Sequence, residues 1–513
     1  MRVKSKGTVY LVGAGPGDAG LLTLRGAELL RRADVVIYDV LANAELLHYA
    51  PPTAELISRG SRGSEEAMSQ EQLNALMISK ANEGKCVVRL KGGDPYIFGR
   101  GGEEAEELAA AQIPFEVVPG VSSVIAAASY AGIPLTHRGL ASTFTVLTGH
   151  EDPDKEASDL NFEEIARIPG TKVILMGLKR FRELTETLIA RGMPRETPVA
   201  LVHRGTTGAQ QSIEGTLGTI ADLAAKKKIT APAITIIGDV VKLRKNLNWF
   251  ERRPLFGQRV VVTRTREQAS QLSKRLADLG AEVLEIPTIK IEPPGEDRRQ
   301  DLIDALLELN SYDWLVFTSP NGVTAFFDLF FKRFKDLRDL GGAKIAAIGP
   351  ATAAKLQELH LQVDLMPEEA ISSKIAKAFD KFETIENLKI CLLRAEVANP
   401  DLPKALEELG AIVDDVAVYR TVAETEDLNG AAAKLAGQGM DWITFTSAST
   451  VEHFHARFDL PKLLKQFPQA KVVSIGPETS KAIRALGLEP THEAREHSLE
   501  GVVQTLVKGA SRG

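Results

Sequence analysis

The sequence predicts an α/β protein made of two successive α/β units joined between about Asn246 and Gly257. Three observations carry this. Short β-branched runs alternate with Ala/Leu/Glu segments of helical period along the chain. A polar, aromatic, Pro-containing stretch near residue 250 ends one such series and opens another. The second half also repeats itself.

Bulk properties fit. At 513 residues the chain is too long for one hydrophobic core. With 44% apolar and 25% charged residues it should fold throughout. A net charge of -6 argues against nucleic-acid and anionic-membrane partners. The N-terminal MRVKSKGTVYLVGAG runs from a basic stub into a strand with no signal-peptide pattern, and no apolar run reaches the ~20 residues that span a bilayer, so the expected location is the cytoplasm. Ala325 to Phe331 is interrupted by Asp328 and reads as a half-buried helix. Cys86 and Cys391 sit in strand-like runs as structural thiols. His453 and His455 fall on different helix faces, and no metal pattern occurs.

In the first half the strands are VYLVGAG, DVVIYD, CVVRLKG, FEVVPG, TFTVLTG, KVILMG, PVALVH and AITIIG, an alternation that predicts mostly parallel sheets covered by helices. The loop Gly13-Ala-Gly15-Pro16-Gly17-Asp18 mimics a dinucleotide fingerprint but fails it: Asp18 stands where the third glycine belongs, and Pro16 removes an amide. More distinctive is Arg89-Leu-Lys91-Gly92-Gly93-Asp94-Pro-Tyr-Ile97-Phe-Gly-Arg100, a strand end, a double-glycine turn and then a helix near Glu103. Adjacent glycines let backbone approach a ligand, and Asp94 could accept from an amine or hydroxyl there.

VYLVGAGPGDAGLLTLRG, RLKGGDPYIFGRGGEE, VVPGVSS and AGIPLTHR, in this order, resemble the uroporphyrinogen-III C-methyltransferases over residues 7 to 250. The resemblance implies a tetrapyrrole-methylase fold over 1-245, with α/β subdomains at about 1-136 and 137-245, and a linker at 246-256. It implies S-adenosylmethionine as methyl donor, two methylations giving precorrin-2, and a homodimer through this half. Matched position by position, cofactor contacts fall on Pro16, Gly92, Gly93, Asp94, Ile97, Ser122, Ser123, Met176 and Gly205, with Ser122-Ser123 replacing the usual Thr-Ala. Asp39 matches the proton acceptor; alone, an Asp after a strand equally reads as a turn cap. The family's lysine falls on Ser61, which cannot supply its charge, so that lysine reads better as a carboxylate contact than as a proton donor. Arg59, Arg62, Lys91, Arg100, His137 and Arg138 could supply cations to substrate carboxylates, although each alone reads more readily as a solvated surface charge.

In the second half Asp313-Trp-Leu-Val-Phe-Thr-Ser recurs as Asp441-Trp-Ile-Thr-Phe-Thr-Ser, and Ala343-Lys-Ile-Ala-Ala-Ile-Gly-Pro as Ala470-Lys-Val-Val-Ser-Ile-Gly-Pro. Arg264 with Gly280-Ala is echoed by Arg394 with Gly410-Ala, so the blocks lie about 130 residues apart and indicate two similar lobes. If VLEIPTIKIEPP and VDDVAVYRTVAE cross between lobes, lobe one comprises 257-288 plus 423-510 and lobe two 289-422; two consecutive lobes are the alternative. Residues 257-510 resemble uroporphyrinogen-III synthase through VVVTRTREQASQLSKRLADLGAEV, DWLVFTSPNGVTAFF, IAAIGPATA, VYRT, TSAST and IGPETS. That implies closure of hydroxymethylbilane with loss of water and inversion of the last ring. Thr263, Arg264, Thr318, Ser319, Asn321, Thr446, Ser447 and Ser449 are candidate substrate donors or plain N-caps, and Tyr419 matches the tyrosine implicated in hydroxyl departure or serves as a core or hinge residue. The rival readings are a methylase of this fold acting on RNA or protein, and a methylase joined to a non-catalytic two-lobed ligand sensor.

Overall fold

The computed structural model describes residues 6-60, 67-149, 160-264, 266-368, 372-427 and 430-511. The first sheet contains β1 (Val9–Gly13), β2 (Val35–Tyr38), β3 (Glu55–Ser58), β4 (Val87–Lys91) and β5 (Phe115–Val118), all parallel, in the order β3-β2-β4-β1-β5. β4 is buried along its whole length, Arg89 and Lys91 included, as expected of a parallel strand covered on both faces. Placing β4 beside β1 sets their two glycine loops side by side at the C-terminal sheet edge, where open α/β sheets bind ligands.

The second sheet departs from the parallel expectation. Its strands are β6 (Phe144–Thr148), β7 (Thr171–Leu175), β8 (Pro198–His203), β9 (Gln211–Thr216) and β10 (Ala233–Ile237), in the order β6-β7-β10-β8-β9. Only the β6 to β7 pair is parallel. The short turn between His203 and Gln211 leaves no room for a crossover, so β9 must return antiparallel. The helix Ser123–Tyr130, expected with the first sheet, packs through Val124, Ala127 and Ala128 into the core of the second.

The connector is no loose tether. Trp249 packs edge-on and Phe250 tilted against Tyr130, Arg253 lies over the Trp249 and Phe250 rings, and Leu255 is buried in the next core. Arg244, Gln210 and Ser212 all donate to the Glu251 carboxylate.

After β11 (Arg259–Val262) and β12 (Glu282–Glu285) the chain leaves one sheet unfinished. It then builds all of another from β13 (Ile289–Glu292), β14 (Trp314–Phe317), β15 (Lys344–Ala347), β16 (Lys389–Ala395) and β17 (Ile412–Ala423), in the order β13-β17-β16-β14-β15. It returns with β18 (Trp442–Phe445), β19 (Lys471–Ser474) and β20 (His492–Glu493), completing the order β12-β11-β18-β19-β20. β13 runs antiparallel to the far end of β17, so both crossings lie next to each other. The repeated Trp314 and Trp442 are buried at matching strand starts. Helix Pro320–Arg333 buries Val323, Phe326, Phe327 and Phe330, and Cys391 lies in the same core. Among the described residues no helix is long and apolar enough to cross a membrane, and no cluster of His, Cys and carboxylates could hold a metal.

Candidate functional site

At the first sheet's edge Gly15 and Gly93 pair through their backbones: Gly15 N donates to Gly93 O at 3.2 Å, and Gly93 N to Gly15 O at 2.7 Å. A Cβ at Gly13 would lie 2.4 Å from Gly120 Cα, and one at Gly120 2.2 Å from Gly93 O, so three loops touch backbone to backbone. Gly13 and Gly120 were within the quoted motifs but had no assigned role; only tertiary contact reveals it. Gly92 is different. Its φ is not in the left-handed region, and a Cβ there would meet only Leu41 Cβ, at an ordinary 3.5 Å. Neither strain nor packing demands a glycine, which leaves bare backbone at the sheet edge.

Asp94 behaves differently from the expectation of a ligand acceptor. One carboxylate oxygen accepts from the amides of Tyr96 (2.8 Å) and Ile97 (3.1 Å), the other from Gly120 N (3.0 Å), so the side chain ties the loop together. Ser122 caps its helix, accepting from Val124 N at 3.3 Å, and Ser123 is the first helical residue. Pro16 begins a turn locked to the second sheet: Asp18 N donates to Thr206 Oγ1 (3.1 Å) and Tyr130 donates to the Asp18 carboxylate (2.6 Å). Gly205 is needed because a Cβ would stand 2.4 Å from Ala127 Cβ. Met176, Arg204, Thr206, Phe98 and Arg100 all hold positive φ, and such strain gathers at binding sites. Val40, Leu41, Tyr96, Ile97, Phe98 and Met176 expose apolar surface around this edge.

Asp39 directly follows β2, beside these loops. Arg89 Nη2 donates to it at 2.5 Å, Gly92 N approaches at 3.4 Å, and Arg59 lies 3.8 Å away. Burial pushes its pKa up, but Arg89, Lys91 and Arg59 outweigh this and hold the carboxylate ionised below its usual range. Lys91, expected among the substrate cations, is instead 1% exposed and bonded to the fully buried Glu104 at 2.7 Å; it occupies an inward position of β4. Arg59 also bonds Gln70, Arg100 pairs with Glu103, and His137 and Arg138 are exposed. Ser61 and Arg62 lie outside the described residues.

In the second half, Ser319 caps the helix after β14, accepting from Gly322 N, and its hydroxyl meets Tyr419 Oη at 3.1 Å. Burial pushes the Tyr419 phenol up, keeping it a neutral donor. Thr318 and Asn321 flank this pair on the same strand-to-helix turn. In the other lobe Ser447 caps the equivalent helix, accepting from Thr450 N and meeting Ser449 at 3.0 Å, with Thr446 beside it. Arg264 follows β11, and burial lowers its pKa. Thr263 is wholly buried and donates to Thr444 O, so it belongs to the sheet rather than to a ligand.

These features define a two-part α/β enzyme: a glycine-lined ligand edge with an ionised aspartate, followed by a two-lobed unit with hydroxyl-rich strand ends. The family description Tetrapyrrole (Corrin/Porphyrin) Methylases matches residues 8-221, and Uroporphyrinogen-III synthase HemD matches residues 270-504. A porphyrin biosynthesis protein HemD of Ruminiclostridium josui is 38% identical over 98% of both chains. An S-adenosyl-L-methionine-dependent uroporphyrinogen III methyltransferase of Methanosarcina barkeri is 52% identical over 46% of this chain and 93% of its own. The Thermus thermophilus uroporphyrin-III C-methyl transferase complexed with S-adenyl homocysteine shares 39% identity, with a TM-score of 0.40 over 46% of this chain and 100% of that one. The chain belongs to the family that fuses a tetrapyrrole methylase to uroporphyrinogen-III synthase.

Proposed function

We propose that the second half cyclises hydroxymethylbilane to uroporphyrinogen III and that the first half methylates this product twice with S-adenosylmethionine, giving precorrin-2. The observation that carries the methylase reading is Gly92: a glycine that the protein's own atoms do not require, next to an ionised Asp39. S-adenosylmethionine, when bound, supplies an already activated methyl. The residues then have to align an electron-rich ring carbon with it and exclude water. Gly92, Gly93, Pro16, Ser122, Ser123, Ile97, Met176 and Gly205 would hold the cofactor, through backbone at Asp94. Val40, Leu41 and Phe98 offer an apolar bed for the macrocycle. Arg59, Arg62, Arg100 and Arg138 would meet its carboxylates. Asp39 takes the proton that the methylated ring must release.

In the second half Arg264, Thr318, Ser319, Asn321, Thr446 and Ser447 would bind substrate carboxylates from both lobes. Tyr419, neutral and held by Ser319, donates to the departing hydroxyl. A homodimer through the methyltransferase half completes the reading, and its test is the solution mass.

Supplying hydroxymethylbilane with and without S-adenosylmethionine tests both activities by mass and absorption. Uroporphyrinogen III should form without the cofactor and a doubly methylated product with it. Isomer I alone would overturn the synthase reading; unmethylated isomer III in both arms would overturn the methylase reading.

A further inference from the structure

The chain passes between the last two sheets at two places, 286-288 on the way out and from Glu424 on the way back. These crossings are the covalent hinge of the two lobes. Glu424 N donates to Thr288 O at 2.9 Å, the last rung that joins them after the β13 to β17 ladder. Just beyond that rung, Arg457 Nη1 donates to Pro287 O at 3.4 Å and to Glu424 O at 3.1 Å. One guanidinium thus bonds the outgoing and the returning segment together. Its Cζ lies 5.0 Å from the Phe458 ring centre, which helps hold the side chain in place.

Arg457 sits near the C-terminus of helix Ala448–Phe458, whose N-terminus is capped by Ser447 at the β18 edge. At 1.5 Å per residue this 11-residue rod is about 16 Å long. It connects a substrate-facing end to the hinge with no flexible joint between them. Both bonds leave the same nitrogen, Nη1, whose two N–H groups are held in the rigid guanidinium plane, where those of an ammonium rotate freely.

We infer that Arg457 is a positioning residue of the synthase, clamping both interlobe crossings to the Ser447 helix and so setting the angle at which the lobes meet the substrate. The inference rests on the synthase reading. The reaction demands a particular fold of a linear chain more than acid or base help, so a loosened interlobe angle should slow ring closure.

The test compares wild type, Arg457→Ala and Arg457→Lys, with spin labels on Glu407→Cys in one lobe and Lys465→Cys in the other, in a Cys86→Ser background. Wild-type formation of isomer III establishes the synthase reading independently of the clamp. Urea-dependent amide exchange of β18 and β19 reports that the lobe carrying Arg457 has folded in each variant. Arg457→Ala should broaden the interlobe distance distribution and lower synthase kcat about tenfold or more, on the scale at which small misplacements slow reactions. KM should change less than kcat, and Arg457→Lys should lie between. An unchanged distribution overturns the inference, as does a broadened one with wild-type kcat.

Discussion

Glu104→Gln isolates the buried charge network behind Asp39. Arg89, Lys91 and Glu104 are 0, 1 and 0% exposed, and the Glu104 carboxylate lies 2.7 Å from Lys91 Nζ and 3.5 Å from Arg89 Nε. With Asp39 and Arg59 the group already carries more positive than negative charge. Gln keeps the shape but strands Lys91 beside Arg89, and breaking one side of a buried pair costs about 3–5 kcal/mol. The molecule has an escape: Lys91 can lose its proton. Burial and Arg89 already lower its pKa. The loss is therefore capped by the cost of deprotonating a lysine of unfolded pKa near 10.4, about 4 kcal/mol at pH 7.5 and about 1 kcal/mol at pH 9.5. The sign is fixed, because below 10.4 the unfolded state binds more protons than the variant's native state, so the variant gains stability relative to wild type as pH rises.

Amide exchange of β4 against urea, read at both pH values, measures this unit's stability without relying on whole-chain two-state unfolding. Adding Lys91→Met removes the stranded charge and should recover most of the loss. A penalty under about 1 kcal/mol at pH 7.5, where a broken buried pair should cost several times more, would refute the reasoning. So would a penalty that does not shrink with pH, or a double variant no better than the single one.

Gly92→Ala should leave the melting temperature unchanged but raise KM for S-adenosylmethionine tenfold or more, about 1.4 kcal/mol; an unchanged KM removes the argument for bare backbone. Gly120→Ala, which drives a Cβ into Gly93 O, should instead destabilise the first half by several kcal/mol, on the order of other severe backbone changes. Asp39→Asn should lower methyltransferase kcat by about 100-fold or more, within the range of general-base losses, while isomer III still forms; synthase loss in the same chain would show misfolding. Tyr419→Phe should slow isomer III formation with methylation of supplied uroporphyrinogen III intact.

Much of the site was legible because it lies on strand ends followed by turns, where Gly, Asp, Ser and Thr are conspicuous in sequence. The strand and turn pattern set Asp39, Gly92 and Gly93 at strand ends, the resemblance to the methyltransferases drew them into one site, and the internal repeat put Trp314 and Trp442 at matching places. Illegible features depended on direction or on distant partners. Nothing in the β8, β9 and β10 runs distinguishes parallel from antiparallel neighbours, since buried strands look alike in both. Lys91 alternates with Gly92 as though it faced a ligand, yet it points at a glutamate 13 residues on. Asp94 reads as a ligand acceptor, and its tie to Gly120 N, 26 residues on, emerges only in the folded chain.

The repeat also exposes a difference between the lobes. Aligned on Gly280-Ala and Gly410-Ala, Arg264 corresponds to Arg394 and Glu285 to Asp415. In lobe two Arg394 and Asp415 form a two-pronged ion pair, at 2.6 and 2.5 Å. In lobe one His48 of the first half reaches Glu285, at 3.9 Å, and burial pushes the Glu285 carboxyl up. A raised carboxyl makes the native state hold a proton that the unfolded state has released, so Glu285 lowers stability progressively as pH rises from about 4.3, its unfolded value, through its folded one. Above that window the penalty is complete. Glu285→Gln should therefore be nearly neutral at pH 4 and stabilising at pH 8, measured by urea-dependent exchange of the β12 amides. A Gln variant less stable than wild type at pH 8 would mean that the ionised carboxylate is held by the fold, and that the junction with the first half adds a favourable contact rather than tolerating a buried acid.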